Sequence, residues 1–111
     1  MQIKSFYEYE KLASSFALYP EAGTGSSLAL AYCALGLTGE SGEYSEKVKK
    51  LIRDGKFDKP LALKELGDAL WYLTASAREM GYTLADVAEV NIVKLSDRAA
   101  RNVLQGSGDT R

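Results

Sequence analysis

Hydrophobic residues recur at intervals of three and four along most of this chain, which is the spacing of one face of an α-helix. The first such segment begins near Phe6 and ends before Tyr19-Pro20, where a glycine- and serine-rich loop follows. The other three run from about Leu28 to Arg53, from Pro60 to Met80 and from Thr83 to about Val103. No segment alternates with the period of two that a strand requires. The pattern therefore predicts an all-α fold, an antiparallel helical bundle of about four helices.

Polar residues at the ends of these segments support the same division. Ser26 or Ser27 is suited to cap the second helix, and Pro60 is suited to the first turn of the third. Thr83 and Asp86 resemble a capping box at the start of the fourth helix. The residues after it, QGSGDTR, are expected to form a loop.

The second predicted helix carries a carboxylate where its apolar face needs a hydrophobic residue. The face runs through Leu30, Cys33 and Leu37 and then reaches Glu40, with Glu43 one turn further on. A buried, unpaired carboxylate is costly enough that it normally neutralises or finds a cation. The third helix carries a second acid pair, Glu65 and Asp68. Carboxylates converging from two packed helices predict a site for Mg²⁺, with Mn²⁺ as the alternative.

Two other interpretations of these helices stay open. Acid pairs three residues apart are common on solvated faces, where they pair with lysines such as Lys47 or Lys50. Glycines also surround the acids, at positions Gly36, Gly39, Gly42 and Gly67. These glycines indicate close helix packing, or room for a metal and phosphates, and the two interpretations can hold together.

The third helix is apolar on two sides, since Trp71 points nearly opposite the face that contains Leu63 and Leu66. In so short a chain, the second cover is expected to be another subunit. We therefore expect a homo-oligomer, either a dimer or a tetramer.

Basic residues form two groups that could contact phosphates. The first group lies near the end of the second helix and contains Lys47, Lys50 and Arg53. The second lies along one face of the fourth helix and contains Lys94 and Arg98, together with Asn91. Lysine and arginine can hold phosphate oxygens. Ordinary solvated faces, and cations that complement a helix dipole, explain the same spacing equally well.

The composition excludes several classes of function. The chain of 111 residues fits one domain, taken as residues 1–111, and its net charge of -1 argues against nucleic acid as a partner. There is no histidine, which excludes histidine-based catalytic triads and zinc sites, and the one cysteine, Cys33, is expected in the core. The longest apolar stretch, Leu28 to Leu37, is too short to span a membrane, and the N-terminus lacks a secretory signal. We expect a cytoplasmic protein.

Three sequence motifs resemble the MazG-like nucleotide pyrophosphohydrolases of the all-α NTP-pyrophosphatase superfamily. They are LGLTGESGEYSEKVKKLIRDGK, LKELGDALWYL and NIVKLSDRAAR, within a likeness that covers roughly Tyr19 to Arg111. That superfamily is marked by Glu-x-x-Glu, a gap and Glu-x-x-Asp, and here 21 residues separate Glu43 from Glu65. The closing GSGDTR is similar to the tail of small stand-alone members.

The resemblance implies a Mg²⁺-dependent hydrolase that cleaves the α–β bond of a nucleoside triphosphate. It implies that Glu40, Glu43, Glu65 and Asp68 are the metal ligands, with Glu43 as the general base and Glu46 in reserve. Phosphate binding would fall to Lys47, Lys50, Arg53, Lys94 and Arg98, and contact with the nucleoside to Asn91, Trp71 and Tyr72. The chain departs from the pattern at Gly39, where some members have a further acid, and at Thr110, where asparagine is expected.

Two alternatives to an enzyme remain at this level. One is a non-catalytic module that binds or senses nucleotides, and the other is a purely structural bundle whose acids pair with lysines. The intact set of four acids argues against the first alternative.

Overall fold

The helices begin and end at residues whose side chains or backbone conformations cap them. In a computed structural model, which describes all of residues 1–111, they are α1 (Phe6–Ser14), α2 (Ser27–Asp54), α3 (Lys59–Glu79) and α4 (Leu84–Ala100). Ser26 caps α2 by accepting a hydrogen bond of 3.2 Å from the Ala29 amide. Gly55, with φ +70°, ends the same helix in the left-handed conformation that glycine adopts without strain. The predicted all-α fold is confirmed.

The capping box predicted at the start of α4 is present. The Thr83 side chain accepts from the Asp86 amide at 3.0 Å, and the Asp86 carboxylate accepts from the Thr83 amide at 2.9 Å. The helix ends at Ala100, earlier than the hydrophobic pattern predicted. Asn102 has φ +61° and the Val103 amide bonds to the Arg98 carbonyl at 2.8 Å, a turn that closes the helix.

The largest helix–helix interface joins α2 and α3, which run antiparallel across a short connection. The core at one end of this interface contains Tyr19, Ala29, Cys33 and Ala75, all buried. Burial also raises the pKa of the Cys33 thiol above its ordinary value. The expectation that Cys33 is a core residue is confirmed.

The helix α1 is held by two hydrogen bonds to other elements. The indole Nε1 of Trp71 donates to the Ala13 carbonyl at 3.1 Å, and the Leu84 amide donates to the Glu10 carboxylate. The second bond places an acid at the N-terminus of α4, where the helix dipole favours negative charge. These bonds tie α1 to α3 and α4.

The arrangement of the helices is open. The radius of gyration is 16.4 Å, whereas a compact domain of this length has about 13 Å. The helix α4 contacts α1 and α3 and does not contact α2. Only 11 of the 111 residues are buried, and Leu63 on α3 is 69% exposed. The part of the apolar face of α3 that contains Leu63 and Leu66 is therefore exposed within one chain, whereas Ala77 at its other end is buried.

None of the four helices combines the length with the hydropathy that crossing a membrane would require.

Candidate metal centre

Three carboxylates converge where α2 packs against α3. Glu40 of α2 and Glu65 and Asp68 of α3 each offer one oxygen, and these oxygens lie within 4.8 Å of one another. Glu40 and Glu65 are half-buried, whereas Asp68 is exposed. The spacing of three residues places Glu65 and Asp68 one turn apart on the same side of α3. Oxygen donors this close together are a donor set that suits Mg²⁺ or Mn²⁺.

The electrostatics of Glu40 show that negative charge accumulates at this point. Burial raises the pKa of Glu40 above its ordinary value, and the charge of Asp68 raises it further. A hydrogen bond and the charge of Glu65, and then the charge of Glu43, act in the same direction. Like charges raise the pKa of a carboxyl in this way when no cation compensates them.

A single lysine offsets part of this charge. The Nζ of Lys47 lies 3.9 Å from Glu65 Oε1, and the two side chains are 20% and 19% exposed. Lys50, which the structural alternative also requires, is exposed and forms no ion pair. Of the three clustered carboxylates, only Glu65 therefore pairs with a lysine, Lys47.

The other two acids singled out in the sequence lie outside the cluster. Glu43 is exposed, although its charge contributes to the raised pKa of Glu40. Glu46 is exposed and accepts a hydrogen bond of 2.9 Å from Lys49 Nζ. That bond and the charge of Lys49 hold the pKa of Glu46 below its ordinary value.

Hydrophobic side chains, all but one of them aromatic, line a cavity of about 220 Å³. It is lined by Phe16, Leu18, Tyr19, Tyr32, Trp71 and Tyr72. The rings of Tyr19 and Tyr32 stack with centroids 5.7 Å apart, and Trp71 meets Tyr72 edge-on at 5.1 Å. Burial raises the pKa of Tyr72, and the charges of Tyr32, Glu40 and Asp68 contribute. Tyr72 therefore connects the cavity to the carboxylate cluster.

The sequence did not single out three other residues near the site. Tyr19 and Tyr32 supply a wall of the aromatic cavity from the loop after α1 and from α2. Tyr9 on α1 has its pKa raised by burial and by the charge of Asp68. No local pattern marks Tyr9 and Tyr19, because their positions depend on how α1 and the loop after it pack against the other helices, and the position of Tyr32 depends on how α2 packs against α3.

The glycines of α2 and α3 divide into two kinds. A Cβ on Gly36 would lie 2.3 Å from Cε1 of Tyr72, so only glycine lets that ring cross α2. A Cβ on Gly39, Gly42 or Gly67 would meet nothing within 4 Å. Close packing therefore explains Gly36, and open space lies beside the other three.

The basic residues lie in different surroundings. Arg53 is engaged by Asp54 at 2.9 Å, and Asn91 is exposed. Lys94 and Arg98 on α4 both contact Asp109, at 2.7 Å and 3.1 Å. Because α4 does not contact α2, the structure does not bring these residues to the helix that carries Glu40.

Comparison with known proteins places these features in a family. Residues 30–102 match the family described as the MazG nucleotide pyrophosphohydrolase domain. The chain belongs to the MazG family. The matched range includes all four acids as well as Asn91, Lys94 and Arg98, and it leaves out the segment that contains Asp109.

A curated relative of this MazG protein comes from a bacteriophage. The Gene 37 protein of Mycobacterium phage L5 is 40% identical over 109 residues, covering 93% of this chain and 96% of that protein. No solved structure matches this chain. Family membership supports a hydrolase of the nucleotide pyrophosphohydrolase class, and such proteins generally depend on a divalent metal.

Proposed function

We propose that this MazG protein hydrolyses the α–β phosphate bond of a nucleoside triphosphate, giving a nucleoside monophosphate and pyrophosphate, in a Mg²⁺-dependent reaction. The observation that carries the proposal is the convergence of Glu40, Glu65 and Asp68, whose oxygens lie within 4.8 Å of one another. Only Lys47 pairs with any of them. The family match supports the same class of reaction.

The metal would be held by Glu40, Glu65 and Asp68, with Glu43 as a further ligand. Glu43 lies one helical turn after Glu40 on α2, and its charge contributes to the raised pKa of Glu40. When bound, Mg²⁺ or Mn²⁺ would neutralise phosphate charge and polarise the attacking water. Glu40 and Glu65 come from different helices, so their joint contact would also fix α2 against α3.

Glu43 is our first choice for the general base and Glu46 the second. An exposed carboxylate beside the cluster can take the proton of the water whose oxygen attacks the α-phosphorus, while the bridging oxygen leaves with pyrophosphate. Glu46 is already bonded to Lys49, and its lowered pKa makes it a weaker proton acceptor.

The nucleoside would enter the aromatic cavity. The faces of Trp71 and Tyr72 can stack on a base. Both side chains line the cavity of about 220 Å³, and the charges of Glu40 and Asp68 contribute to the raised pKa of Tyr72. Lys47, half-buried next to Glu65, would contact the phosphates, with Lys50 and Arg53 further along the same helix.

We infer that the remaining predicted contacts come from a second copy of the chain. Asn91, Lys94 and Arg98 lie on α4, which does not contact α2 in the same chain. We therefore propose a homo-oligomer, a dimer or a tetramer, in which α4 of one copy approaches the acids of another. Exposed apolar residues on α4 support this proposal, since Val90 is 68% exposed and Val93 is 62% exposed.

We expect light scattering at micromolar concentration to give the mass of a dimer or tetramer. Val93→Asp should shift the distribution toward monomer, because it places a charge on the exposed apolar face of α4. Lys56→Glu, in the exposed connection between α2 and α3, also changes a surface charge and should leave the mass unchanged, which makes it the control. A wild-type protein that is monomeric at these micromolar concentrations would contradict the proposed oligomer.

A product-resolved assay tests the reaction itself. Incubation with Mg²⁺ and a panel of ribo- and deoxynucleoside triphosphates should release pyrophosphate and monophosphate in equal amounts. Orthophosphate as the first product would contradict cleavage at the α–β bond. Tight nucleotide binding without turnover would instead favour a non-catalytic nucleotide-binding module.

A further inference from the structure

The residues after α4 form a loop that closes on itself. The guanidinium of Arg111 donates to the main-chain oxygens of Val103, Leu104 and Gly108 at 3.2, 2.8 and 2.6 Å. We call residues 103–111 the C-terminal loop. Gly108 within it has φ +87°, a conformation that a residue with a side chain rarely adopts. Arg111 thus holds the loop through backbone oxygens.

The C-terminal loop presents one carboxylate to the two cations of α4. Oδ1 of Asp109 lies 2.7 Å from Lys94 Nζ and 3.1 Å from Arg98 Nη2. Arg98 Nη2 also donates to the main-chain oxygen of Asp109. The Arg98 side chain is 7% exposed and that of Asp109 is 79% exposed. The hydrogen bonds from Lys94 and Arg98 hold the pKa of Asp109 below its ordinary value, so the carboxylate is charged at neutral pH.

Lysine and arginine form strong, charge-assisted hydrogen bonds to phosphate oxygens, and Lys94 and Arg98 lie one helical turn apart with their charged ends on the same group. Here they already hold an anion that belongs to the chain. An ion pair with one partner so exposed is weak, so a phosphate group can displace it. The main-chain bond from Arg98 does not depend on the charge of Asp109, and it can persist when the carboxylate leaves.

We propose that Asp109 is an internal competitor for the anion site formed by Lys94 and Arg98, and that the polyphosphate of the ligand must displace it. The proposal rests on the proposed function, in which these two residues contact phosphate. It assigns the C-terminal loop a regulatory role, since the loop lowers the affinity of the site for polyphosphate.

The test measures the binding of inorganic pyrophosphate by titration calorimetry, with EDTA present so that the carboxylate cluster takes no part. Asp109→Asn keeps the shape of the side chain and removes its charge. It should tighten pyrophosphate binding roughly fivefold, because the competing carboxylate charge is gone. Glu89→Gln removes one negative charge from an exposed position on α4 and should leave binding unchanged.

A double variant locates the effect. When Lys94→Met is combined with Asp109→Asn, the gain seen with Asp109→Asn alone should shrink to within about twofold, because one of the two cations is gone. Hydrogen exchange of residues 103–111 should be alike in wild type and Asp109→Asn, since Arg111 holds the loop in both.

Unchanged or weaker binding in Asp109→Asn would overturn the proposal, as would an equal gain in Glu89→Gln or no pyrophosphate binding by any form. The measurement needs no turnover. A gain in Asp109→Asn with no hydrolysis by the wild type would therefore sink the proposed reaction and leave the competitor role standing.

Discussion

Glu40→Gln is expected to stabilise the protein in the absence of metal and, at the same time, to remove most of its Mg²⁺-dependent activity. In the metal-free chain, the charges of Glu40, Glu65 and Asp68 repel one another within 4.8 Å. Replacing one carboxylate by an amide should relieve on the order of 1 kcal/mol of this repulsion. The rate of pyrophosphate release should fall at least 100-fold, because a catalytic metal contributes several kcal/mol to transition-state stabilisation.

The measurement is a pair of unfolding experiments, with and without Mg²⁺, alongside the pyrophosphate assay. Wild type should gain stability from Mg²⁺, since a ligand that binds only the folded state stabilises it, and Glu40→Gln should gain little. Asp68→Asn should behave in the same way, and Glu89→Gln, on exposed α4, should match wild type. If wild type proves indifferent to Mg²⁺, the acids are structural and the proposed metal centre is wrong.

Glu79→Gln is expected to cost about 2–4 kcal/mol of the free energy of unfolding. Glu79 is buried, and its carboxylate accepts hydrogen bonds from the Tyr19 hydroxyl and from the Gly23 and Gly25 amides, the last two at 2.8 and 2.9 Å. These bonds attach the loop between α1 and α2 to the end of α3. An amide has only one acceptor oxygen, and its NH₂ group would face a donor, so at least one bond is lost.

Chemical denaturation measures this loss directly. Tyr19→Phe is a matched control that removes one of the three donors and leaves the charge, so its cost should be smaller. Equal stability of Glu79→Gln and wild type would show that the loop does not depend on this carboxylate.

The same residue predicts how stability depends on pH. Burial alone would raise the pKa of Glu79, but the hydrogen bonds from Tyr19, Gly23 and Gly25, with the charge of Arg78, lower it below its ordinary value. A carboxyl whose pKa is lowered by folding contributes stability above its unfolded pKa of about 4.3, and that contribution disappears as the pH falls through the folded pKa. The difference between wild type and Glu79→Gln should therefore shrink below about pH 4.

The difference in the free energy of unfolding between wild type and Glu79→Gln is free of the contributions of the other carboxyls, because both proteins share them. Glu40 is one of them, and its raised pKa acts in the opposite direction. Parallel stability curves for the two proteins across the acid range would contradict the role assigned to Glu79.

The sequence by itself determined the helices and the position of Glu40 within them. Capping residues such as Ser26, or Thr83 with Asp86, form hydrogen bonds to backbone amides three residues away. These bonds form however the helix later packs against the rest of the chain. Likewise, the period of α2 placed Glu40 on the same face as Cys33, and both lie on its less exposed side. These are local properties, and a local pattern is sufficient to predict them.

Tertiary structure decided which of the predicted residues meet. Glu43 has the same spacing from Glu40 as Asp68 has from Glu65, yet only Asp68 joins the cluster. The rotation of α2 against α3 sets that difference, and it depends on close contacts such as the ring of Tyr72 over Gly36. The position of Asp109 on Lys94 and Arg98 depends in turn on a loop that returns to its own helix. Distances between helices follow from the packing of the whole chain, so no short stretch of sequence contains them.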